Sequence, residues 1–113
     1  MLLLRNIVLG AAALIASAVP GVVLAEGASL GVVIKDHRFS PAELHAPANT
    51  PITLNVQNAD STPEEFESKQ LRVEKVIAGG AATTIRVRPL APGRYRFFGD
   101  YHEDTAEGYL VVE

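Results

Sequence analysis

The chain has 113 residues, with 10 Lys and Arg against 13 Asp and Glu, a formal net charge of −3 and no cysteine. An acidic chain with scattered basic residues is repelled by phosphates, which excludes a nucleic-acid binder, and the absence of cysteine excludes disulfides, thiolate ligands and cysteine nucleophiles. A domain of this size buries only about 60% of its unfolded surface, so an ordinary apolar core must hold it.

At the N-terminus Arg5 precedes an apolar run from Ile7 to Leu24 that closes in Val23-Leu24-Ala25, small or apolar at the spacing signal peptidase requires. Gly10, Pro20 and Gly21 interrupt the run and Glu26 follows it directly, so it reads as an export signal over residues 1–25, cleaved after Ala25, rather than as a membrane span. The expectation is a periplasmic protein of one domain, residues 26–113. Met1, the one methionine, leaves with the signal and takes any thioether ligand with it.

Beyond Gly27-Ala28-Ser29, Leu30, Val32 and Ile34 alternate with Gly31, Val33 and Lys35, a period of two that predicts a strand. Phe39-Ser40-Pro41 turns the chain, and Ile52, Leu54 and Val56 mark a second strand after the breaker-rich segment Ala46 to Pro51. Glu64 to Val76 is mixed, readable as strand or as a helical turn. Thr83, Ile85 and Val87 predict a further strand. Leu90-Ala91-Pro92-Gly93 is a turn, because Pro presets φ and Gly accepts a positive one. Arg94 to Phe98 and Gly108 to Val112 complete the pattern. Short strands between Pro and Gly turns, with no convincing helix after residue 25, predict an all-β antiparallel sandwich.

Two groups of residues could carry chemistry. If Phe66 faces the core, Glu65 and Glu67 share the opposite face while Glu64 lies on the side of Phe66; two like charges on one face repel, and a cation would relieve them. Taken alone, these are solvated acids around a core aromatic. Asp100, His102, Glu103 and Asp104 lie in a loop between two consecutive strands, and imidazole with carboxylate suits iron, copper(II), zinc or manganese. His37, at a strand exit, is a further ligand candidate; His45 has no distinguishing context. Arg86, Arg88, Arg94 and Arg96 alternate with apolar residues and line outward faces. No serine or threonine sits in a nucleophile elbow, so hydrolysis has no support.

Phe39-Ser40-Pro41, Asn58-Ala59-Asp60, Glu65-Phe66-Glu67-Ser68, Pro89 to Tyr95 and the loop from His102 to Gly108 occur in this order, and together they resemble a cupredoxin-like domain over nearly all of Ser29 to Glu113. More narrowly, Glu65 to Ser68, Glu74-Lys75-Val76 and Phe97-Phe98 followed by His102 resemble the EfeO-type cupredoxin-like proteins of bacterial high-affinity iron uptake. The resemblance implies a Greek-key β-sandwich. It places the family's early histidine ligand on Glu64, its cysteine on Gly99 and its methionine near Thr105 or Ala106, so that His102 alone keeps its ligand type and no type-1 copper centre is expected. What it implies instead is iron or copper held by carboxylate and imidazole, with Glu65, Glu67 and His102 as first ligands and Glu103 and His37 next. The partner would be a membrane iron permease or another periplasmic uptake component, with no membrane contact of the chain's own. Two other readings stay open: a metal-free module that docks on an envelope or permease partner, and a ferroxidase-like enzyme.

Overall fold

Nine strands follow one another in the computed structural model, which describes residues 27–113: β1 (Ala28–Lys35), β2 (Arg38–Ser40), β3 (Glu43–Ala46), β4 (Ile52–Asn58), β5 (Glu64–Ser68), β6 (Val73–Ile77), β7 (Ala82–Val87), β8 (Gly93–Gly99) and β9 (Glu107–Val112). A single 3-10 turn, Asp100–His102, separates β8 from β9. The strands form two sheets, ordered β2-β1-β4-β7 and β3-β9-β8-β5-β6, the sandwich that the alternation of the sequence predicts. The export signal expected over residues 1–25 lies outside the described residues.

The core is built from the alternation itself. Ile52, Leu54 and Val56 of β4 are buried on one face, as are Val32 and Ile34 of β1, and Ile85 and Val87 of β7. Phe66, Phe97, Leu110 and Val112 meet them from the five-stranded sheet. Three aromatic rings knit the centre: Phe39 stands edge-on to Phe97 at 4.9 Å and to Phe66 at 5.8 Å, and Phe66 stacks on Phe97 at 5.0 Å. Edge-to-face and offset geometries of this kind suit the ring quadrupoles.

The strands differ from expectation in three respects. The mixed segment after Pro63 is two antiparallel strands, β5 and β6, paired from Glu64↔Ile77 to Ser68↔Val73. Their turn is fixed by buried Ser68, whose hydroxyl donates to the Arg96 carbonyl at 2.6 Å and accepts from the Leu71 N–H at 3.2 Å, while Arg72 takes a left-handed φ of 60°. Short strands β2 and β3 flank Pro41, too brief for a periodic signal. The sheets are also mixed rather than purely antiparallel, since β1 runs parallel to β4 and β3 parallel to β9.

One hairpin bears directly on the ligand candidates. Lys35 pairs with Arg38, leaving Asp36 and His37 as a two-residue loop with φ of 54° and 59°, the left-handed pair that matches strand twist in a tight hairpin. Asp and His accept that region better than most residues. The Asp60 carboxylate holds it in place, accepting from the Asp36 N–H at 2.7 Å and the His37 N–H at 3.0 Å. Those bonds, that from His37 foremost, draw the Asp60 carboxyl below its ordinary pKa, aided by the charges of His37 and Lys35.

Candidate metal centre

The pleat of β5 separates its three acids. Glu64, Phe66 and Ser68 are buried, whereas Glu65 and Glu67 are half-buried on the opposite face. On that outer face one carboxylate oxygen each from Glu65, Glu67 and Asp100 lies within 4.8 Å of the others. Asp100 reaches them because β8 pairs beside β5, at Phe66↔Gly99 and Glu67↔Phe98, and the chain enters its 3-10 turn one residue later. Glu74 stands across from Glu67 on β6. No Lys, Arg or His among the described residues forms an ion pair with any of these four acids. The Glu65 carboxyl is accordingly pushed above its ordinary pKa, first by desolvation against the sheet and then by the charge of Glu74, a shared proton with Asp100, and the charges of Asp100 and Glu67. Such a group binds a proton or a cation readily.

On the inner side of the same strand a second cluster forms at the end of the sandwich. Glu64, only 1% exposed, accepts at Oε1 from the N–H of Glu65 at 3.0 Å and of Tyr101 at 2.9 Å, and its Oε2 meets His102 Nδ1 at 2.6 Å. A buried carboxylate requires such partners. Gly99 makes the space: a Cβ there would stand 2.6 Å from Glu64 Cδ and 2.8 Å from Ala106 Cβ. The loop closes on itself through Gly99 N–H to the Ala106 carbonyl at 2.9 Å and Ala106 N–H to the His102 carbonyl at 2.8 Å. The His37 ring lies flat on that of His102, centroids 3.4 Å apart and planes 12° from parallel. Thr105 joins their backbones, its hydroxyl donating to the His37 carbonyl at 2.7 Å.

The five expected ligands therefore fall in three places. Glu65 and Glu67 come together on the outer face, joined by Asp100. His37 and His102 come together at the sandwich end, joined by Glu64. Glu103 lines a depression of about 230 Å³ with Lys69, Gln70, Arg96 and Phe98, where Arg96 covers the Phe98 ring at 4.6 Å and donates to Glu107 at 2.6 Å. Arg94 likewise pairs with Glu43 at 2.8 Å, and Arg88 donates to the carbonyls of Gln70 and Leu71, so these arginines are structural on their outward faces. His45 is held between Glu43 and Glu113. The sequence placed Asp100 with the His102 loop and Glu64 at the family's histidine position, but neither entered the expected ligand set, and Asp100 was not grouped with Glu65 and Glu67. The signal for Glu64 was the pleat itself, which sets it on the side of Phe66, where an acid must find a partner.

A family model described as a Cupredoxin-like domain matches residues 6–112. The chain is 46% identical over 81 residues to Uncharacterized protein RP394 of Rickettsia prowazekii (strain Madrid E), covering 72% of this chain and 65% of that protein, so it spans just under two thirds of the relative's length. Among solved structures it is similar to the metal binding domain of the Streptococcus pneumoniae D39 Cu(I) exporting P-type ATPase CopA, with a TM-score of 0.68 and 16% identity over 75% of this chain and 84% of that one. It is similar also to auracyanin A, a blue copper protein of Chloroflexus aurantiacus, with a TM-score of 0.67 and 13% identity over 77% and 99% of the two chains. A purple cupredoxin from Nitrosopumilus maritimus aligns with a TM-score of 0.55 and 18% identity over 74% and 98%. At these identities the structural likeness is one of fold.

Proposed function

The chain belongs to the cupredoxin-like domain family, and from that premise we propose that it is an exported, periplasmic metal-binding protein that captures iron, with copper as the alternative ion, as an accessory of high-affinity uptake through a membrane permease. The observation that carries this reading is the convergence of Glu65, Glu67 and Asp100 oxygens within 4.8 Å of one another. Three carboxylates without a basic partner repel one another until a cation arrives, and hard oxygen donors favour iron(III) over softer ions. The Glu65 carboxyl, raised first by desolvation and then by its acidic neighbours, supports the same reading, because a bound cation offsets the first and relieves the second.

The thiolate-bound copper of a blue-copper site does not fit these residues. The chain has no cysteine, and the space in front of Gly99 is filled by the Glu64 carboxylate. The coordination positions therefore fall to Glu65, Glu67 and Asp100, with His102 held apart from them by Glu64 and Glu103 in the separate depression beside Arg96.

Calorimetric titration of the purified protein with ferric citrate and with copper(II) tests the proposal. Iron(III) should bind well below millimolar, that is, with more than about 4 kcal/mol. Each of E65Q, E67Q and D100N should weaken it at least about tenfold, or about 1.4 kcal/mol. Binding no tighter than millimolar would sink the reading and leave a metal-free docking module in its place, and tight binding insensitive to all three substitutions would take the site away from Glu65, Glu67 and Asp100.

A further inference from the structure

We infer that Glu64 is a positioning residue for the carboxylate site: its buried side chain holds the turn that carries Asp100 against the strand that carries Glu65 and Glu67. The strand ladder alone does not do this. β8 pairs with β5 only at Phe66↔Gly99 and Glu67↔Phe98, so the ladder stops one residue short of Asp100, and the 3-10 turn Asp100–His102 begins with no side-chain cap. Glu64 takes over where the ladder ends. Its Oε1 accepts from the N–H of Glu65, a member of the site, at 3.0 Å and from the N–H of Tyr101, the residue after Asp100, at 2.9 Å. Its Oε2 meets His102 Nδ1 at 2.6 Å, so both residues that follow Asp100 in the turn are gripped by one carboxylate.

The clasp lies on the inner side of β5, where Glu64 is 1% exposed, while the three acids gather on the outer face. Gly99 leaves room for it: a Cβ there would stand 2.6 Å from Glu64 Cδ and 2.9 Å from its Oε1. The other ties of the loop go elsewhere. The Thr105 hydroxyl donates to the His37 carbonyl on the β1–β2 hairpin, and the bonds from Gly99 to Ala106 and from Ala106 to His102 stay within the loop. Among the described residues, Glu64 is therefore the one side chain of β5 that is hydrogen-bonded to the backbone of the Asp100 turn. Carboxylates that coordinate a metal are themselves held by hydrogen bonds, and losing such support typically weakens binding about 10–100-fold. An acid already held beside its partners spares the arriving ion the cost of ordering the loop. The inference rests on the proposed site for its consequence in metal binding; the placing of Asp100 is a property of the metal-free chain.

The test compares E64Q with E64A. E64Q keeps an oxygen for both N–H groups and removes the charge, whereas E64A removes the acceptor. By NMR of the metal-free protein, the Tyr101 amide proton should exchange at least about tenfold faster in E64A, as befits a lost hydrogen bond to a charged acceptor. The Glu65 carboxyl carbon, which senses Asp100 through the proton they share, should shift on D100N in wild type and in E64Q but lose most of that response in E64A. Iron(III) calorimetry should then find E64Q close to wild type and E64A weaker by at least about tenfold, with D100N adding nothing further to E64A while E67Q still does. A general loosening of the fold would not single out Asp100 in this way. Where E64A does not fold, E64D keeps the charge and withdraws the carboxylate by one methylene, and the same decoupling is expected. A folded E64A or E64D whose Glu65 signal still responds fully to D100N overturns the inference. So does an E64Q that loses iron(III) as E64A does, since Glu64 would then act by its charge or as a ligand. Absence of iron(III) binding in the wild-type protein would sink the carboxylate site alone and leave the NMR comparison to decide the placing of Asp100, so the two readings fail separately.

Discussion

Glu64 and Glu65 are adjacent acids with opposite fates, and the pleat alone separates them. Glu64 is turned inward and satisfied by three donors; Glu65 is turned outward among like charges. A carboxyl whose folded pKa is raised stabilises the fold in its protonated form, and that contribution is lost as pH rises from its unfolded value, near 4.5, through the folded one. The E65Q substitution should therefore raise the thermal midpoint of the metal-free protein at pH 7, and the difference should vanish in unfolding scans at and below pH 4. An E65Q protein no more stable than wild type at neutral pH would mean that the outer acids do not repel as the geometry requires. The same substitution should weaken iron(III) binding, so that stability and metal affinity move in opposite directions at one residue.

At the level of elements, the hairpin between β1 and β2 decides where His37 stands. Its left-handed loop residues are secured from outside the hairpin by Asp60, which follows β4. Asp60→Ala removes both acceptors, and the Asp36 and His37 amide protons should then exchange at least about fivefold faster, the worth of roughly 1 kcal/mol of hydrogen bonding; unchanged exchange would show that the turn is held by pairing alone. The sequence made the long alternating strands plain, since Ile52, Leu54 and Val56 announce their inner face by period. It concealed β2 and β3 because three or four residues carry no period, and it left β5 and β6 merged because the turn between them depends on Ser68 reaching the Arg96 carbonyl, a contact from β8. The loop from Asp100 to Ala106 was recognisable as a place for ligands, but its 3-10 turn is set by hydrogen bonds to a strand distant in sequence.

At the scale of the whole molecule, the core that replaces absent disulfides centres on the rings of Phe39, Phe66 and Phe97. Phe66 lies between Glu65 and Glu67 in sequence and is fully buried, so it anchors the strand that presents both acids. Phe66→Ala should cost about 3–5 kcal/mol, read as a lower midpoint in urea unfolding, and should weaken iron(III) binding even where the protein remains folded. Retention of stability within about 1 kcal/mol would contradict this central place. By itself the sequence determined the all-β sandwich, the exclusion of sulfur chemistry and the opposite facing of Glu64 against Glu65 and Glu67, because strand alternation and composition are local properties of the chain. Only the tertiary structure decided that Asp100, and not His102, meets Glu65 and Glu67, and that His102 is taken by Glu64. Those partnerships arise from the side-by-side register of β5 and β8, and a register between strands far apart in sequence is fixed by packing rather than by any neighbouring residue.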